Sequence, residues 1–112
     1  MVWTANEIER RYGPRGLHAY SLHPGAIATG LQKHVTKELH MEQGAATTVR
    51  AALAKELEGS GGKYLEDCQI IGPWDPATGL TGTGYAPWAY DATKAAKLWE
   101  LSLELVGLEE NE

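Results

Sequence analysis

The 112 residues are 43% hydrophobic and 22% charged, an ordinary globular composition that excludes wholesale disorder. A net charge of -5 argues against a nucleic-acid binder, and no apolar run approaches the roughly 20 residues of a membrane helix. The single cysteine, Cys68, cannot form an internal disulfide, and no signal peptide is visible, so the expected setting is reducing and cytoplasmic.

Residues 2–12 hold Trp3, Ile8 and Tyr12 among charged residues without a breaker, which predicts an amphipathic helix. Gly13-Pro-Arg-Gly16 ends it. Residues 17–22 lie between turn signals and are too short for a helix, so a strand is expected there, stopped by Pro24-Gly25. Leu31, Val35 and Leu39 share one face of a short helix over 31–39. A second helix is expected over 42–57, with Ala46, Val49, Ala52 and Leu53 on one stripe, before Gly59-Ser-Gly-Gly62. A further strand follows over 63–68, leading into Ile70 and Ile71.

Residues 72–89 are rich in Gly and Pro, which predicts a long loop that is either functional or locally mobile. Asp91 is a good N-cap for a last helix reaching Val106, with Leu98, Leu101 and Leu105 as its buried stripe and Gly107 as its C-cap. Glu109, Glu110 and Glu112 make an acidic, solvated tail. Helix, strand, helix, helix, strand, helix is the order of an α/β unit with parallel strands. The whole chain, 1–112, makes one domain at most.

With that order in place, three segments carry a resemblance. His23-Pro24-Gly25-Ala-Ile27-Ala-Thr29 resembles the Pro-Gly-x-x-x-Thr segment of short-chain dehydrogenases/reductases. Gly62-Lys63-Tyr64-Leu-Glu-Asp67-Cys68 and Lys97-Leu98-Trp99-Glu100-Leu-Ser102 resemble the C-terminal region of their retinol-dehydrogenase-like and WW-domain-oxidoreductase-like branch. The resemblance implies the C-terminal half of a Rossmann-like, doubly wound parallel sheet, incomplete on its own. It implies a cofactor, NAD or NADP, whose nicotinamide end is closed over by Pro24, Gly25, Ile27 and Thr29. Gly25 would let backbone approach a flat ring, groups near Ile27 would pair with the carboxamide, and the Thr29 hydroxyl would reach the carboxamide or a phosphate. Residues 30–41 match the family's variable cover over the substrate. Without the flanking elements, the same segment reads as a strand-terminating turn.

The family's catalytic Ser, its Tyr-x-x-x-Lys pair and its glycine-rich pyrophosphate turn are not found at their expected places, which predicts a chain that begins just after that pair. Tyr90-Asp-Ala-Thr-Lys94 has the spacing of the pair but follows the Pro-Gly turn instead of preceding it, and reads as a helix start. Thr78-Gly79-Leu-Thr-Gly82-Thr-Gly84 imitates a phosphate loop but follows prolines, not a strand, and reads as an ordinary loop. His18, His23, His34 and His40 lack metal-ligand spacing. Trp74, Tyr85, Trp88 and Tyr90 either line a hydrophobic substrate pocket or pin the long loop to the body.

Two functions follow. One is part of an NAD(P)-dependent oxidoreductase that interconverts a small-molecule carbonyl and an alcohol, inactive as this segment. The other is a non-catalytic interaction or dimerisation module, consistent with a homo-oligomer. In either case two parallel strands are too little sheet to stand alone, and the first of them leaves an edge exposed.

Overall fold

The computed structural model describes residues 1–25, 41–80 and 82–109, apart from the side chains of 41 and 42. The first helix, α1 (Val2–Tyr12), is followed by a 3₁₀ turn, Gly13–Arg15, that ends at Gly16 in the left-handed region. Glu7 is almost wholly buried on it, with Arg10 and Arg11 both on its carboxylate at 2.9 and 2.8 Å. The hydrogen bond from Arg10 is the main reason that this carboxyl is held below the usual range. Arg11 also lies over the Trp99 ring, 5.1 Å from its centroid, and Tyr12 packs on the same ring.

Strand β1 (Ser21–His23) is shorter than the expected 17–22 and ends one residue later. Residues 17–20 approach it as connecting chain: the Glu9 carboxylate takes the His18 ring nitrogen and the Ala19 N–H, so this stretch is tied to α1. The expected helix over 31–39 lies outside the described residues. Helix α2 (Met41–Leu53) stops before the expected Leu57, with Ala54 extended and Lys55–Leu57 forming a 3₁₀ turn. That break buries Leu57 and hands its carbonyl to the Tyr20 hydroxyl.

The expected strand over 63–68 is instead a hairpin. Strand β2 (Tyr64–Glu66) turns at Asp67 and Cys68, both at positive φ (50° and 59°), into β3 (Gln69–Ile70). Two successive left-handed residues match the right-handed twist of a two-residue hairpin, and here neither is glycine. The turn is held from outside: the Cys68 N–H donates to the Thr47 hydroxyl of α2 at 3.1 Å, and Thr47 is buried.

The sheet order is β1-β2-β3, with β1 and β2 parallel and β3 antiparallel to β2. Leu22 stands opposite Leu65, which is fully buried. Leu22 shares a groove with Thr48 and Ala51 of α2, whereas Tyr64 shares a cleft with Val2 and Trp3 of α1. Alternation along the strands thus puts α1 and α2 on opposite faces, and the fold is a partial Rossmann-like α/β unit.

Two expected apolar stripes are corrected. Among the described residues of α2 the buried ones are Gly44 and Thr47, while Val49 and Leu53 are exposed. Small residues bring that helix close to the sheet. The last helix, α3 (Ala92–Val106), packs on α1 through Ala95 and Trp99. Leu101 and Leu105 are 50% and 76% exposed, because α1 ends at Tyr12 and covers only one side of α3. Its caps are as expected: the Asp91 carboxylate accepts the Lys94 N–H, and Gly107 is left-handed.

Candidate functional site

The candidate site starts where β1 ends. Pro24 has no N–H and closes the ladder, and Gly25 follows at φ +93°, a conformation that favours glycine. The Gly25 N–H donates to His23 Nδ1 at 2.9 Å, so the turn is fastened by the ring of the residue that begins it. His23 and Pro24 are exposed. Ile27, Thr29 and residues 30–40 of the expected substrate cover lie outside the described residues.

On its inner side β1 pairs with β2; on its outer side no strand lies among the described residues. A groove of about 630 Å³ lies between residues 16–22 and the end of α2. The Pro24–Gly25 turn therefore stands at the carboxyl end of an edge strand in a parallel pair, the usual position of a ligand in open α/β sheets.

The partner of His23 across the ladder is Glu66, at the same end of β2. Its carboxylate accepts the Tyr64 hydroxyl and the Gly84 N–H, both at 3.2 Å. Burial foremost, then the Glu66 charge and this hydrogen bond, push the Tyr64 phenol up to about 12. A cleft of about 390 Å³ opens beside it, lined by Val2, Trp3, Tyr64, Tyr85 and Trp88 among others.

The long loop is organised by those aromatics. Trp74 and Tyr85 pair through backbone, the Trp74 ring N–H donates to the Gly79 carbonyl, and the Trp3 ring N–H donates to the Trp88 carbonyl. Tyr85 lies against Tyr64 and Tyr90, and the Tyr90 hydroxyl donates to the Gly62 carbonyl. Trp74 and Tyr90 pin the loop; Trp88 and Tyr85 line the cleft.

Both imitations of catalytic parts are ordinary structure. The Tyr90 hydroxyl is taken by Gly62, burial raises its pKa, and Lys94 pairs with its own helix cap, Asp91. Among the described residues of the 78–84 segment, the Thr78, Gly79, Gly82 and Gly84 N–H groups are already taken, by the carbonyls of Asp75, Pro76 and Gly79 and by the Glu66 carboxylate, and Gly84 lies against the Trp74 backbone. Among the described residues no group of three or more His, Cys, Asp or Glu is placed to hold a metal ion. The residue missed from sequence is Glu66; its alternation with Tyr64 on a strand is the signal that marks it.

This is a strand-and-turn edge of a partial Rossmann-like α/β fold. No family model matches the chain. A short-chain dehydrogenase/reductase of Penicillium roqueforti is 50% identical over 97% of this chain and 36% of its own length. An oxidoreductase of Penicillium decumbens is 40% identical over 96% of this chain and 37% of its own length. A WW domain-containing oxidoreductase of Danio rerio is 36% identical over 91% of this chain and 25% of its own length.

The chain belongs to the short-chain dehydrogenase/reductase family. It spans little more than a third of the length of these Penicillium relatives. The first alignment runs over 124 positions against 112 residues in the whole chain, so that relative carries residues in this region that this chain lacks.

Proposed function

We propose that residues 1–112 form one part of an NAD(P)-dependent oxidoreductase domain and supply its nicotinamide-facing edge. The complete enzyme interconverts a small-molecule carbonyl and an alcohol by hydride transfer. The observation that carries this reading is the left-handed Gly25 after Pro24 at the carboxyl end of the parallel edge strand β1. Pro24 and Gly25 would approach the ring through backbone, with Ile27 and Thr29 as the further cofactor contacts. The bound dinucleotide would supply the hydride.

These residues alone do not turn over substrate. Among the described residues, no tyrosine hydroxyl stands free beside a lysine to exchange a proton with a substrate oxygen, since Tyr90 is bound to Gly62. A cytoplasmic setting and the absence of a nucleic-acid partner belong to the same reading, supported by the lone cysteine and the net charge of -5. No helix among the described residues is long and apolar enough to cross a membrane.

Exchange of the matching segment of the Penicillium roqueforti relative for these 112 residues tests the reading. The chimera is expected to retain cofactor-dependent carbonyl reduction, and Gly25→Val within it to abolish that activity. An inactive but folded chimera overturns it. The isolated chain is expected to show neither turnover nor micromolar NADPH binding by calorimetry.

The outer edge of β1, unpaired among the described residues, with exposed Leu101 and Leu105, favours a second reading: a non-catalytic module that assembles with itself or with a longer relative. Sedimentation that finds only monomer from micromolar to millimolar concentration removes the self-assembling form of it.

A further inference from the structure

We propose that His23 is a positioning residue that builds the Pro24–Gly25 turn by standing in for an asparagine, and that protonation of its ring releases the turn. Asn and Asp commonly accept the N–H two residues on, through an oxygen three bonds from Cα. In histidine, Nδ1 is also three bonds from Cα. Here it takes the Gly25 N–H at 2.9 Å, two residues on, and so closes the same ring. Accepting requires the Nδ1 lone pair, so the neutral ring carries its proton on Nε2. A second proton converts Nδ1 to a donor facing another donor, and the contact is lost.

The hydrogen bond matters because Gly25 is left-handed and Pro24 offers no N–H to a neighbouring strand. Fastening from within is what the turn has in place of a ladder bond. Of the elements packed on β1, β2 presents Glu66 and Tyr64 on the His23 face, and that carboxylate is engaged by the Tyr64 hydroxyl and the Gly84 N–H. Helix α2 packs on the other face, that of Leu22. Glu66 is thus the carboxylate that stands across the ladder from His23.

The functional consequence rests on the proposed role of this turn as the cofactor lip: at low pH the lip loses its fixed shape. The test uses the full 112-residue chain, labelled with nitrogen-15. Ring nitrogen shifts at neutral pH are expected to show the Nε2–H tautomer. Gly25 amide protection, corrected for intrinsic exchange, is expected to fall roughly fivefold in His23→Ala, the loss of one ordinary hydrogen bond. His23→Asn is expected to keep it. On acidification the natural chain is expected to lose the protection, whereas His23→Asn holds it.

An Nδ1–H tautomer, unchanged protection in His23→Ala, or a His23→Asn variant that responds to pH like the natural chain overturns the proposal. The tautomer is read without any substitution, so a variant that fails to fold leaves that decision in place. None of these readouts uses the cofactor. They can fail while the chimera remains active, and the chimera can fail while they hold.

Discussion

The Glu9 carboxylate occupies the space that a side chain at Gly61 would need. A Cβ built there falls inside the carboxylate, while the same group holds His18 and the Ala19 N–H. One acidic residue on α1 thereby fixes the approach to β1 and the turn into β2.

Gly61→Ala is therefore expected to destabilise the chain by about 1–3 kcal/mol, as overpacking does. In a Glu9→Ala background the same change should cost much less, because the colliding atoms are gone. Urea midpoints for the four combinations measure the coupling. Equal costs in both backgrounds would refute the clamp.

The hairpin turn makes the opposite prediction. Asp67 and Cys68 hold positive φ without being glycine, so Cys68→Gly should stabilise by about 1 kcal/mol. Thr47→Val should destabilise by about 1–2 kcal/mol, since the Cys68 N–H loses its acceptor. Thermal unfolding of the two variants should move in opposite directions.

Tyr64 sets an alkaline limit. Its folded pKa of about 12 lies above an unfolded value of about 10, so the folded state retains a proton that the unfolded state gives up. Its contribution is whole below about pH 10 and drains away as pH rises through 12. Stability of Tyr64→Phe should fall less over that interval, as followed by denaturant midpoints at each pH. A parallel decline in both would show that Tyr64 is not the group responsible.

The two faces of α3 should respond differently. Leu105→Lys changes an exposed position and should cost under about 0.5 kcal/mol, whereas Ala95→Leu forces new atoms between α3 and α1 and should cost about 1–3 kcal/mol. If the isolated chain assembles through α3, Leu105→Lys should also shift its sedimentation toward monomer.

Much of this was legible in the residues. The span of α1, the Asp91 and Gly107 caps of α3 and the stop at Pro24-Gly25 follow from local chemistry, because a cap or a proline acts within a few residues of itself. The hairpin was not legible, since Asp67-Cys68 is no turn dipeptide and adopts its shape through Thr47, distant in sequence. Nor was the end of α2, where no breaker stands and the gain comes from burying Leu57 and meeting Tyr20.

The sequence by itself determined the family segment, the α/β alternation and the turn at residues 24–25, all of which reside in short runs of residues. Only the tertiary structure decided which faces of α2 and α3 are covered, that Tyr90 is bound to Gly62, and that His23 fastens Gly25. Burial and hydrogen bonding depend on what stands opposite, and a helix with apolar residues on several sides leaves that choice to its neighbours.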